Sequence, residues 1–171
     1  MKDMKKLALI PALFAPSLFA APLPPAEELA CNTVTAVYER MMERPCHFRT
    51  ADCPDKCDHA LRVAVFRVVT NEAFSRPGEY GDDKLQPGDA CAVDMKNDVE
   101  GQDKAVQELV KTLRPGDAVR MTIRHYYVKT DHAHYPVRPV TAMERLSGPV
   151  QMPDKKDSPL DHEDEVMPIA R

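Results

Sequence analysis

Nowhere in this 171-residue chain is there a run of roughly 20 unbroken apolar residues, the length a membrane-spanning helix needs. Basic charge is not in excess either: 23 Lys and Arg stand against 27 Asp and Glu, a formal net charge of −4. Because neutralisation of phosphates by Lys and Arg drives binding to polyanions, a nucleic-acid partner is not expected. Short motifs that announce common chemistries are missing as well. There is no glycine-rich phosphate loop, no G-x-S-x-G nucleophile elbow, no H-E-x-x-H and no C-x-x-C-H haem attachment. These absences remove the usual grounds for naming an enzyme without excluding one.

Residues 1–20 read as a secretory signal. Lys2, Lys5 and Lys6 supply a positive start, Leu7 to Ala20 an apolar run broken by Pro11 and Pro16, and Ala20-Ala21 small residues for cleavage. Glu27 and Glu28 stand before Leu29-Ala30-Cys31 where a lipid-anchor signal would be apolar, so a lipoprotein is rejected. The expectation is export to the periplasm or beyond, without a membrane anchor. Removing residues 1–20, with their three Lys and one Asp, takes the formal charge from −4 to −6. Residues 21–30 form a Pro/Glu leader and residues 148–171 an acidic, proline-dotted tail. Both have too few large apolar residues to offset ordering entropy, so both are expected to be disordered. One folded domain remains, residues 31–147.

Within it, Asn32 to Met42 is rich in β-branched residues and reads as a strand. Leu61 to Thr70 (LRVAVFRVVT) is the strongest strand signal, and Asp89 to Met95 a weaker one. Between those two, Ser75 to Lys84 is dense in turn formers and reads as a surface loop. Ala105, Val106, Leu109, Val110 and Leu113 recur at helical spacing, with Asp103 as N-cap and Pro115-Gly116 as stop. Ala118 to Thr130 alternates cleanly, and Val137 to Leu146 is a fifth strand that Pro139 makes an edge or bulged one. Three strands, a helix and two strands is the succession of the OB-fold, a five-stranded Greek-key barrel. A small α+β sandwich is the alternative.

Four segments resemble a family of exported bacterial proteins without an assigned function and with an OB-like β-barrel pattern. They are Asp52-Cys53-Pro54-Asp55-Lys56-Cys57, Arg76 to Asp82, His125-Tyr126-Tyr127-Val128 and Tyr135 to Thr141. The resemblance spans most of the folded unit and implies one constellation, but no activity.

The chemistry-bearing residues crowd into the loop after the first strand. Three of the chain's five cysteines (Cys46, Cys53, Cys57) and the histidines His47 and His59 lie there. Thiolates and imidazoles bind soft or borderline metals such as zinc or copper. In an OB barrel the loop between the fourth and fifth strands, Thr130 to Pro136 here, faces that loop, which would bring His132 and His134 to it, with His125 nearby. The candidate metal ligands are therefore Cys53, Cys57, His59, His134 and His125, with Cys46, His47 and His132 in reserve. Plainer readings stand beside each. C-x3-C is only suggestive of zinc, whose sites more often use paired C-x2-C clusters, and in an exported chain these cysteines suit a structural disulfide. Cys31 and Cys91 on strands read as a second disulfide or as buried thiols. His125 among Met121, Ile123 and Tyr127 reads as a packed core residue, and His132 and His134 as solvated. Carboxylates in Gly78 to Lys84 read as a solvated turn, and Arg120, Arg124, Arg138, Arg145 and Tyr126 as a solvated exterior. Functionally the sequence points to an exported, non-catalytic binding module. Its alternatives are a disulfide-stapled domain binding a partner protein or envelope glycan, and a thiol-redox enzyme.

Overall fold

Strands do form where the β-branched residues gather, but the first two run longer than their patterns suggest. The computed structural model describes residues 23–44, 61–96, 99–148, 150–157 and 159–162. In chain order the elements are β1 (Ala26–Arg44), β2 (Leu61–Ser75), β3 (Ala90–Asp94), α1 (Lys104–Lys111), β4 (Ala118–Lys129), β5 (His134–Val137), β6 (Val140–Arg145) and a single turn, α2 (Pro159–His162). Asp103 caps α1 as expected, its carboxylate accepting the Ala105 N–H.

All ladders are antiparallel, in the order β3-β2-β1-β4-β5, with β6 also pairing β4. Bulges in the β1–β2 ladder at Thr33/Val34, Thr35/Ala36 and Tyr38/Arg40 bend and coil the long first strand. The sheet curls into a half-barrel. Its outer strands β3 and β6 do not pair, so the closed five-stranded order expected of an OB barrel is not reproduced. Instead α1 packs Val106 and Val110, and Leu113 just beyond its C-cap, against Val34, Phe66, Val93, Met121 and Val140. Tyr38 and Phe66 meet there with ring centroids 5.4 Å apart.

Three expectations change. β1 begins at Ala26, inside the stretch 21–30 expected to be a disordered leader. Cross-strand charge pairing supplies what its composition lacks: Glu27 accepts from Lys129 Nζ at 2.9 Å, Glu28 pairs with Arg124, and Leu29 and Ala30 are buried. The fifth strand expected over 137–146 is two strands, β5 and β6, because Pro139 has no N–H to continue a ladder. The loop before it shrinks to residues 130–133, closed by Thr130 N–H donating to Ala133 O.

The third change concerns the tail. Residues 150–157 and α2 lie across β1 and β2 rather than apart from the domain. β2 is buried on both faces, with Ala64, Phe66 and Val68 toward the helix and Val63, Val65 and Arg67 away from it. Arg67 has no exposed surface. Its Nε and Nη2 donate to Glu39 (2.9 and 3.1 Å), Nη2 also to Asp161 Oδ1 (2.8 Å), and Nη1 to the carbonyls of Gly88 and Lys156 (both 3.1 Å). Every guanidinium N–H thus has an acceptor. Burial works against the charge, yet Glu39 and Asp161 outweigh it and raise the Arg67 pKa. Leu160 packs beside this cluster on Met42, Val63 and Val65.

Removing Arg67 would take from Glu39 and Asp161 their buried partner and leave each only a partly exposed cation, Arg40 and Lys155. Arg67→Ala is expected to lower unfolding stability by about 3–5 kcal/mol, and truncation after Gly148, which removes two of its partners, to destabilise strongly as well. Urea titrations followed by circular dichroism measure both; a change under ~1 kcal/mol in Arg67→Ala would show that the cluster does not hold the tail.

Candidate functional site

Five of the candidate ligands, Cys46, His47, Cys53, Cys57 and His59, lie outside the described residues. Their loop is nonetheless fixed at its ends, because the β1–β2 ladder closes on the pair Arg44↔Leu61. The β4–β5 turn is fixed by Lys129↔His134. Val128, next to that turn, pairs with Ala26, the first residue of β1, whereas the cysteine loop leaves from Arg44, its last. The two connections therefore start from opposite ends of the longest strand, and their meeting depends on the coil of β1 and the path of residues 45–60.

His132 and His134 are exposed, and His134 sets its ring edge-on to Tyr127 at 6.0 Å. His125 is not beside them. Four residues separate it from Lys129, the partner of His134, which is about 13 Å along the strand. Among the described residues no three His, Cys, Asp or Glu side chains are grouped to hold a metal ion.

What His125 does is clear from its neighbours. β4 places it on the face of Val119 and Met121, and it is 6% exposed. The loop after β2 folds back over it. Two glycines make that approach possible: a Cβ at Gly78 would meet Leu29 Cδ2 at 2.4 Å, and one at Gly81 would meet the Leu29 carbonyl oxygen at 2.1 Å. Gly78 N–H donates to that same carbonyl at 3.1 Å. Asn32, also buried, holds the loop from β1, its Oδ1 accepting from Leu85 N–H at 3.1 Å and from Asn71 Nδ2 at 2.7 Å. Asp82 N–H then donates to His125 Nδ1 at 3.2 Å. Arg138, just after β5, donates twice to the Asp82 carboxylate, at 2.7 and 2.9 Å.

The Asp82 Oδ1 also lies 3.2 Å from Nδ1, so both contacts of the ring to the loop fall on that nitrogen, while Nε2 is buried and has no partner among the described residues. Leaving that nitrogen unmet costs roughly 1–3 kcal/mol, and the contacts at Nδ1 secure the loop. Burial and the Arg138 guanidinium push the His125 pKa below its ordinary 6.5, against the opposite pull of Asp82. Asp82 is itself held below the usual carboxylate range: burial would raise it, but Arg138 prevails. These groups are structural in their present state: of the adjacent carboxylates expected to be solvated, Asp82 is engaged in a docked clasp, while Asp83 stays exposed.

The remaining residues fall in place similarly. Cys31 and Cys91 are both free thiols, on β1 and β3 with β2 between them. Cys31 pairs with Ser75 and Cys91 with Phe66, nine residues or about 30 Å apart along β2, far more than a disulfide spans, so the second disulfide considered from the sequence is overturned. Burial raises the Cys31 thiol and pushes Cys91 up to about 12, where it is protonated and unreactive at neutral pH. Arg120 pairs with Glu72, Arg124 with Glu28, and Arg145 with Asp117 at 3.2 Å, so these guanidiniums brace the exterior of the sheet. A feature invisible in the sequence is a cleft of about 750 Å³ beside β3, lined by Ala90 and Ala92 together with Leu85, Ile123, Val137 and the tail's Leu160.

No described helix is long and apolar enough to cross a membrane.

The depressed His125 pKa has a definite consequence. The neutral ring is favoured by folding, so its contribution to stability is complete above pH 6.5 and is lost as the pH falls below that value and through the folded-state pKa. Asp82 acts in a separate window, below its ordinary 3.8. Urea midpoints measured from pH 8 to pH 5 should fall in the native chain and fall less in His125→Phe; parallel profiles would refute the linkage. Comparison with protein-family models, curated proteins and solved structures finds no match for this chain.

Proposed function

We propose that this chain is an exported binding module whose working part is the loop of residues 45–60, holding one zinc or copper ion through Cys53, Cys57 and His59. One observation carries the reading. Two of the five cysteines, Cys31 and Cys91, are free and sit in the sheet, which leaves three thiols, all in that one loop. Three thiols cannot all be consumed in disulfides within the chain. An unpaired thiol beside another cysteine and two imidazoles is a donor set suited to a soft or borderline ion.

The scaffold favours such a site. The Arg44↔Leu61 pair holds the loop ends about 5 Å apart. Closure of the loop is thus supplied by the hairpin, and the ion need not offset it alone. His132 and His134, exposed on the other hairpin, are secondary candidates for a fourth ligand. His125 has only Nε2 to offer, since its Nδ1 accepts from Asp82.

Protein isolated under reducing conditions without chelators is expected to carry about one equivalent of zinc or copper by plasma mass spectrometry. The Cys53→Ser, Cys57→Ser variant should lose it while keeping the wild-type circular dichroism spectrum. Metal-free protein with two loop cysteines joined in a disulfide would overturn the metal site in favour of a stapled interaction domain for a partner protein or glycan. Alkylation gives an independent check: Cys91 should remain unlabelled in the native chain, whereas a loop thiol with a midpoint well under the ordinary ~8.5 would support the thiol-enzyme alternative.

A further inference from the structure

Among the described residues β3 pairs with β2 alone, so one of its edges is without a strand partner there. The register tells which backbone groups that edge presents. Met95 N–H donates to Arg62 O and Val68 N–H to Asp89 O, which makes 62/95 and 68/89 hydrogen-bonded pairs. Antiparallel ladders alternate, so the pairs 64/93 and 66/91 are bonded as well, and the N–H and C=O groups of Ala90 and Ala92 point away from β2. The outward carbonyl of Asp94 is taken by Gln102 Nε2 at 2.7 Å. Among the described residues nothing bonds the outward groups of Ala90 or Ala92.

Ala90 and Ala92, which carry these four groups, line the 750 Å³ cleft. An exposed strand edge is a template for another strand, and a walled cleft limits that addition to a single segment. Charge along the cleft is also ordered. Asp82, Asp83 and Asp89 are paired with Arg138, Arg76 and Lys156. Lys84, on the loop leading into β3, and Asp94, its last residue, have no ion-pair partner among the described residues.

We propose that this cleft binds an extended peptide segment of a partner protein, added as a strand to the free edge of β3. Its backbone pairs with Ala90 and Ala92. An acidic residue lies toward Lys84 and a basic one toward Asp94, while alternate apolar side chains rest on Leu85, Ile123 and Val137. The inference does not use the thiol loop, so the Cys53→Ser, Cys57→Ser variant binds the peptide as the native chain does and the two readings fail separately.

The test uses the full chain and the fluorescein-labelled heptapeptide Glu-Val-Thr-Val-Thr-Val-Arg, with its reversed sequence to allow for either strand direction. Fluorescence polarisation should show saturable binding of one of the two. N-methylation of that peptide on alternate residues, in each of the two phases, should weaken binding roughly tenfold in the phase that faces β3 and little in the other. Ala92→Pro, which removes an outward N–H without touching the β2 ladder, should weaken it similarly. Absence of binding by both peptides at millimolar concentration, or equal affinity after either N-methylation, overturns the proposal. Binding that appears only after truncation following His162 also overturns it, because the occupant is then the chain's own C-terminal segment.

Discussion

A guanidinium with no exposed surface sits midway along β2, and the arrangement around Arg67 is what binds separate parts of the chain into one body. Its acceptors come from β1 (Glu39), from the turn before β3 (Gly88) and from the tail (Lys156 and Asp161). A buried charge without partners would be costly by many kcal/mol, and here each N–H is met. Such a cluster tolerates little rearrangement, since losing any acceptor strands the others in a low-dielectric setting. The tail therefore belongs to the domain: it completes a polar cluster and lays Leu160 over apolar residues that β1 and β2 would otherwise expose.

Around this fixed point, β1 organises everything else. It pairs β2 on one side and β4 on the other, and its bulges give the sheet its curl. The loop after β2 returns to it through Gly78, Gly81 and Asn32 and then reaches β4 through His125. At the mouth of the half-barrel, the groups that resemble reactive chemistry are thus already engaged with one another. The outward backbone groups of Ala90 and Ala92 on β3, by contrast, have no partner among the described residues.

Much of the architecture was legible. The helical stripe from Ala105 to Leu113, the alternation of β4 and the apolar run of β2 are local patterns, and local burial follows them. Readings failed where pairing with a distant segment outweighed composition. Glu27 and Glu28 made residues 26–30 look like leader, yet Arg124 and Lys129 across the ladder hold them in β1. The tail looked too polar to order, because nothing nearby announces that Asp161 meets an arginine 94 residues away. A clue was present in LRVAVFRVVT: a charged residue inside an otherwise apolar strand requires buried partners. The candidate site was legible only as a crowding of donors, since a loop's side-chain directions depend on closure, and composition carries no record of that.

Periodicity and residue type by themselves determined a β-rich domain with one helix, an acidic character, and thiols concentrated in one connection. These are properties each segment expresses through its own solvation and backbone preference. Tertiary structure alone decided that the sheet stays open, that Arg67 is buried and that the tail covers it. It also decided that His125 clasps a loop and that β3 keeps a free edge. Each of those depends on which distant groups meet, and the free energy of such meetings appears only once the chain has closed on itself.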